Sequence, residues 1–127
     1  MRRLHYAQSS GTLSLCNGDF ACPFAAGYAG RAIGRDNPDM DHVKNIGPLP
    51  RGVYSMRVVE HPRFAAPAIQ LVQTDGEGHG RSGFFIHGDN AKADYSASSG
   101  CIVLDKPTRL VVAALIRLGF DKLEVGR

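Results

Sequence analysis

Two residues in the second half of the chain carry side chains that cysteine enzymes use for covalent catalysis. His87 ends the apolar run 83–87, and Cys101 opens a second apolar run at 101–104. Cysteine is a nucleophile only as the thiolate, and a neighbouring imidazole can take up the thiol proton. If the two runs are neighbouring strands, the two side chains meet at one edge of a sheet. A lone cysteine among apolar residues is also typical of an inert core thiol, so spacing alone leaves both interpretations open.

The residues before Cys101 are suited to holding a reaction intermediate. Gly100 lets the backbone approach a substrate closely. The amide of Cys101, together with that of Gly100 or Ser99, predicts an oxyanion hole for a tetrahedral intermediate. Ser98 or Ser99 is a candidate to accept a hydrogen bond from the ring of His87, although a backbone carbonyl would serve equally well.

The remaining His and Cys residues do not follow a metal-binding pattern. His42, His61 and His79 are scattered, without an HExxH motif or a helical pair, and CxxC spacing is absent, so we expect no metal and no cofactor. The chain has 3 Cys, so at least one is unpaired within the monomer. Cys16 and Cys22 either form a short disulfide loop or remain two free thiols.

Size and charge favour one small domain. The 127 residues predict a single domain spanning 1–127, and 15 Gly with 7 Pro indicate many turns and short strands. The net charge of +3 is dispersed without a basic run, so we expect no nucleic-acid partner. No apolar stretch is long enough for membrane insertion, and no cleavable signal peptide is visible.

Period-2 alternation and turn residues predict a mainly β fold. A hairpin turns near Ser10 and Gly11, and residues 21–43 are predicted to be a long irregular loop, as is 76–83. Further strands are predicted at 53–59, 67–75, 83–87, 101–104 and 121–127.

One helix is predicted in the C-terminal half, over 105–119. Asp105 is a plausible N-cap, Pro107 lies in the first turn and Gly119 follows the last turn. Arg109 and Arg117 are predicted to lie outside the buried face. That face is predicted to comprise Leu110, Ala113, Ala114 and Leu118.

The segments "IHG" and "SSGCIVL" resemble the active-site motif of the YkuD-like L,D-transpeptidases, in which a His precedes Ser/Thr-x-Gly-Cys. The chain departs from the common motif at two positions: Ser99 replaces a His, and Val103 replaces an Arg. The matching residues are His87, Gly88, Ser98, Gly100 and Cys101.

Other segments extend this resemblance over nearly the whole chain. The hairpin "YAQSSGTL", "GYAG", "GRDNPD", "GPLPRGVY" and "FFIHGDN" are similar to the compact L,D-transpeptidase effectors of type VI secretion systems. The resemblance implies a β-rich sandwich or barrel-like fold with one helix. It also implies an antibacterial toxin that leaves the cell without a cleaved signal peptide and acts in the target-cell periplasm. Its partners would be peptidoglycan stem peptides, D-amino acids and a cognate periplasmic immunity protein.

The resemblance implies a cysteine enzyme. It would act as an L,D-carboxypeptidase, which is a hydrolase, as an L,D-transpeptidase, which is a transferase that exchanges terminal D-amino acids, or as both. Cys101 would be the nucleophile and His87 the base, with Ser99 and Gly100 completing the catalytic set. Arg31 or Arg35 is a candidate carboxylate partner. Residues expected to bind substrate are Gly88, Asp89, Ser98, Tyr28, Asn37 and Tyr95.

Two alternatives remain open from the sequence, and a third is disfavoured. One is a catalytically silent wall-binding or interaction module, and another is a housekeeping L,D-transpeptidase. A papain-like enzyme is disfavoured, because it would normally place its Cys before its His. In this chain His87 precedes Cys101.

Overall fold

The computed structural model describes residues 2–127, which form one nine-stranded sheet and one α-helix. The helix, α1, spans Lys106–Arg117. The strands are β1 (Arg2–Ala7), β2 (Thr12–Asn17), β3 (Phe20–Ala26), β4 (Tyr28–Ala29), β5 (Gly52–His61), β6 (Phe64–Asp75), β7 (Phe84–His87), β8 (Ile102–Val103) and β9 (Lys122–Gly126).

The order of the strands requires the sheet to curl on itself. Along the sheet the order is β3-β2-β1-β9-β5-β6-β7-β8-β4, so β3 and β4 lie at opposite edges. In the chain only Gly27 separates these two strands, and its amide donates to the carbonyl of Gly11 at 2.9 Å. The two edges are therefore drawn together, which gives a barrel-like domain. The prediction of a mainly β fold with one helix is confirmed.

A single apolar core fills the curled sheet. It draws side chains from strands near both ends of the order, such as Leu13 of β2 and Ile102 of β8. Tyr6 and Tyr54 are its largest fully buried side chains. Within residues 2–127, no helix has the length and apolar character that a membrane span requires.

The helix begins and ends where the sequence predicts, but a different face is buried. Asp105 caps α1 by accepting from the amide of Thr108 at 2.8 Å, and Gly119 follows with φ +96°. The prediction that Leu110 and Leu118 are buried is wrong, because they are 52% and 63% exposed. The buried face comprises Arg109, Val112 and Ala113. The predictions that Arg109 lies outside this face and that Ala114 lies on it are therefore also wrong. Every position from 110 to 116 is apolar, so the periodicity did not single out one face.

The predicted loop at 21–43 begins with a strand instead. β3 pairs antiparallel with β2, but almost every residue of this edge strand is exposed, so it lacks the alternation that predicts a half-buried strand. Cys16 and Cys22 are free thiols. Cys16 lies opposite Ala21, whereas Cys22 lies opposite Leu15, so the two side chains leave opposite faces of the sheet.

Candidate active site

The strands that carry His87 and Cys101 are parallel neighbours. β7 and β8 pair with Ile86 opposite Ile102, and both of these side chains enter the core. Because side chains alternate along a strand, His87 and Cys101 share the other face. Both residues line one cavity of about 350 Å³, here called the cysteine cavity. The condition under which the sequence would bring His87 and Cys101 together, that the two runs are neighbouring strands, is therefore met.

The thiol of Cys101 is held protonated at rest. Its Sγ accepts a hydrogen bond from the amide of Phe85 at 3.3 Å. Burial raises the pKa of the Cys101 thiol above its ordinary value. The amides of Phe85 and of Cys101 itself, and the positive charges of Arg81 and Arg63, oppose that rise without cancelling it.

Ser98 fixes the loop before Cys101 from inside the protein. This side chain is fully buried, so the assignment of Ser98 to substrate binding is corrected to a structural role. Its Oγ accepts from the amides of Gly30 and Gly100, at 2.9 and 3.0 Å, and donates to the carbonyl of Cys101 at 2.6 Å. Because the Gly100 amide is engaged, the amides of Cys101 and the exposed Ser99 remain the candidates for an oxyanion hole.

Arg81 supports the same loop, a role that its sequence context did not predict. Its segment, 76–83, has the composition of a flexible loop, yet Arg81 is only 9% exposed. A Cβ on Gly100, where φ is +138°, would lie 2.6 Å from Nη2 of Arg81, which explains the glycine. The guanidinium donates to the carbonyls of Asp41 (2.7 Å), Pro48 (2.7 Å), Gly47 (3.0 Å) and Ser99 (3.2 Å).

His87 is buried and oriented by the neighbouring backbone. Its Nδ1 lies 2.7 Å from the carbonyl oxygen of Gly88. A carbonyl can only accept, so Nδ1 carries the hydrogen and Nε2 is left to take up a proton. The ring stacks on Phe64, with centroids 4.3 Å apart. The backbone carbonyl, rather than Ser98 or Ser99, is the orienting partner.

Burial lowers the pKa of His87 below its ordinary value. The positive charges of Arg109 and Arg63 lower it further, whereas the Gly88 carbonyl and Asp89 oppose the shift. The two shifts together disfavour a thiolate–imidazolium pair. Both shifts favour a neutral imidazole and a neutral thiol at rest.

The structure brings three of the predicted substrate-binding residues together in a separate cavity of about 370 Å³, here called the tyrosine cavity. The hydroxyl of Tyr28 donates to Oδ1 of Asp89 at 2.9 Å, and the Tyr28 ring meets that of Tyr95 edge to face at 5.1 Å. Arg35 is one of the two arginines predicted to bind a substrate carboxylate. Its guanidinium lies over the Tyr95 ring, 3.9 Å from the centroid. Val103, two residues after Cys101 in the chain, also lines this cavity.

Asn37, Gly88 and Arg31 have other surroundings. Asn37 caps the 3₁₀ turn Pro38–Met40 and lines neither cavity, and its assignment to substrate binding stays a prediction. A Cβ on Gly88 would lie 2.9 Å from Nη2 of Arg109, so close packing requires the glycine. Nε of Arg31 donates to the carbonyl of Asn45 at 3.0 Å.

Several lining residues of the cysteine cavity come from segments that the sequence did not connect to His87. The turn between β5 and β6 supplies one wall, and Asn45, with φ +67°, supplies part of another. Residues 2–127 contain no cluster of three or more His, Cys, Asp or Glu side chains placed to bind a metal ion. The lining residues outside the predicted set are Asn45, His61, Arg63, Phe64, Gly83, Phe85 and Ala97.

The curled sheet, with an imidazole and a thiol lining one cavity, defines a small β-domain with a candidate cysteine site. The model of the Tlde1 domain family matches residues 24–118, which include β7, β8 and the segments that line both cavities. The chain therefore belongs to the Tlde1 domain family, a family of type VI secretion effectors. No curated protein matches the chain.

Proposed function

We propose that this effector is a peptidoglycan-modifying cysteine enzyme. It acts as an L,D-carboxypeptidase, as an L,D-transpeptidase that exchanges terminal D-amino acids, or as both, on the stem tetrapeptide. The observation that carries the proposal is that His87 and Cys101 line one cavity from adjacent parallel strands. Membership of the Tlde1 domain family supports the same conclusion.

The first step acylates Cys101. As Sγ bonds to the carbonyl carbon of the diaminopimelate residue, Nε2 of His87 takes the thiol proton. Because both groups are neutral at rest, this transfer accompanies the attack rather than preceding it. The amides of Cys101 and Ser99 stabilise the negative charge that develops on the carbonyl oxygen.

The second step releases the terminal residue. The carbon–nitrogen bond breaks, the imidazolium of His87 protonates the leaving amine of D-alanine, and a thioester on Cys101 remains. Attack by water gives a tripeptide with a free carboxylate. Attack by the amine of a D-amino acid gives exchange, and attack by the amine of another stem gives a cross-link.

The site of action that fits this chemistry is the periplasm of the target cell, reached by injection from the producing cell. A producing cell with the same wall needs protection. A periplasmic immunity protein that covers the cysteine cavity would provide it. This partner and this location are part of the proposal.

Mass spectrometry of purified muropeptides tests the proposed reaction. Wild-type protein and the Cys101→Ala variant are incubated with tetrapeptide muropeptides, with and without D-methionine. We expect loss of terminal D-alanine, and incorporation of D-methionine if exchange occurs, only with the wild type. Equal turnover by folded Cys101→Ala protein would refute the mechanism. Binding of muropeptides without turnover of any stem length would instead favour a silent wall-binding module.

A further inference from the structure

The cysteine cavity continues into a second cavity of about 180 Å³ that shares Asn45 and Ser99 with it. Together they form what we call the cysteine groove. Its charged lining residues are Lys44, Arg63 and Arg81, and within residues 2–127 neither cavity is lined by Asp or Glu. By contrast, the tyrosine cavity is lined by two aspartates. The groove is therefore suited to an anionic ligand.

Arg63 is the arginine of the groove whose side chain remains available to a ligand. Arg81 is engaged by four backbone carbonyls. Arg63 lies exposed in the turn between β5 and β6, and its side chain makes no ion pair with any of residues 2–127. Its amide donates to Nδ1 of His61 at 3.1 Å, which orders the turn.

Arg63 lies on the side of the site where His87 acts. Its guanidinium carbon is 5.9 Å from the centroid of Phe64, and Phe64 stacks directly on His87. In the proposed reaction His87 must protonate the leaving amine. The leaving residue, and the carboxylate attached to it, therefore lie on the side that Arg63 faces.

We propose that Arg63 binds the free α-carboxylate of the terminal D-residue of the stem peptide. A guanidinium is suited to this role because its planar fork pairs with both carboxylate oxygens. The site would then require a free carboxyl terminus next to the cleaved bond, which favours removal or exchange of a terminal residue over cleavage of an internal bond. This inference rests on the proposed function and specifies its substrate.

Calorimetric binding with two synthetic stem tetrapeptides tests this role without turnover. One peptide ends in a free carboxylate and the other in a carboxamide, and the protein carries Cys101→Ala. We expect the acid to bind about tenfold more tightly than the amide, the difference expected of one charge-assisted pair. Adding Arg63→Gln should remove that preference by weakening only acid binding, and Arg63→Lys should restore part of it.

Arg57→Gln is the matched control, because Arg57 lies on β5 outside the groove and bonds Gln70 at 2.9 Å. Equal binding of acid and amide, or equal weakening of both by Arg63→Gln, would overturn the role of Arg63. Either result would indicate that the groove binds another carboxylate of the stem peptide. Preferential binding of the acid by a protein whose wild type does not turn over muropeptides would overturn the proposed reaction and leave carboxylate recognition standing.

Discussion

The ring of Phe64 lies face to face with the imidazole of His87, with centroids 4.3 Å apart and 5° between the ring planes. Phe64 begins β6, immediately after the turn that carries Arg63. His61, at the end of β5, stacks on Phe64 in turn, with centroids 4.5 Å apart. The tip of the β5–β6 hairpin thus covers His87 and excludes water from it, which couples the hairpin to the proton affinity of the site.

Replacement of Phe64 by Ala should raise the pKa of His87. Burial is the main cause of the low pKa of His87, and removing the ring would hydrate the imidazolium. We expect the pKa to move up toward the ordinary value of about 6.5. Titration of the histidine ring resonances by NMR measures the shift. Phe24→Ala, on the exposed strand β3, is the control, and an unchanged His87 pKa in Phe64→Ala would contradict the coupling.

The neutral resting pair predicts how alkylation of Cys101 depends on pH. Because burial raises the pKa of Cys101, the thiolate population should be small at neutral pH and grow above the ordinary cysteine pKa of about 8.5. The rate of iodoacetamide labelling at Cys101 should therefore rise steadily with pH above neutrality. Labelling followed by peptide mass spectrometry measures it, with the exposed Cys22 as the internal reference. A rate that is already maximal near pH 6 would indicate a thiolate–imidazolium pair instead.

Local patterns in the sequence predicted the elements that position the catalytic pair. The apolar runs that end at His87 and begin at Cys101 form β7 and β8, and Asp105 and Gly119 mark the ends of α1. These features depend on neighbouring residues, whose types are visible in the chain. β3 was missed because an exposed edge strand shows no alternation between buried and exposed positions.

The surroundings of the pair could not be predicted, because they depend on contacts between distant segments. Phe64 reaches His87 only through the pairing of β6 with β7. Arg81 donates to the carbonyl of Ser99, which lies 18 residues later in the chain, and no sequence motif links residues at that spacing. Asn37 has a residue type common in binding sites, but its side chain is used locally in a cap.

Arg81→Lys should impair the cysteine loop more than a loss of charge would explain. Lysine keeps the positive charge but has only three donors for four carbonyls, so at least one of the four would lose its donor. We expect the free energy of unfolding to fall by about 1–3 kcal/mol, the cost of an unsatisfied buried polar group. Urea denaturation measures it. Turnover of muropeptides should fall as well, since the Cys101 amide loses its fixed position. Arg57→Lys should change neither quantity, and wild-type stability in Arg81→Lys would contradict the proposed support.

Asp41→Asn should make the protein less sensitive to acid. Burial opposes ionisation of Asp41, but hydrogen bonds from Gln8 and Arg51 outweigh it, so the pKa of Asp41 lies below its ordinary value. A carboxylate with a lowered pKa stabilises the fold above its ordinary pKa of about 3.9, and this contribution is lost as the pH falls through the folded-state value. The wild type should therefore lose stability between about pH 5 and pH 3 more steeply than Asp41→Asn.

Urea denaturation at pH 7, 5 and 3.5 measures this difference, as the change in the free energy of unfolding with pH for each protein. At pH 7 the variant should be less stable by about 1–3 kcal/mol, because Asp41 is 3% exposed and a neutral amide oxygen accepts the hydrogen bonds from Gln8 and Arg51 without the charge that strengthens them. Asp39→Asn is the control, since Asp39 is an exposed carboxylate that, among residues 2–127, pairs only with Arg127. Parallel pH curves for the wild type and Asp41→Asn would show that acid sensitivity originates elsewhere in the fold, with the burial of His87 as the next candidate.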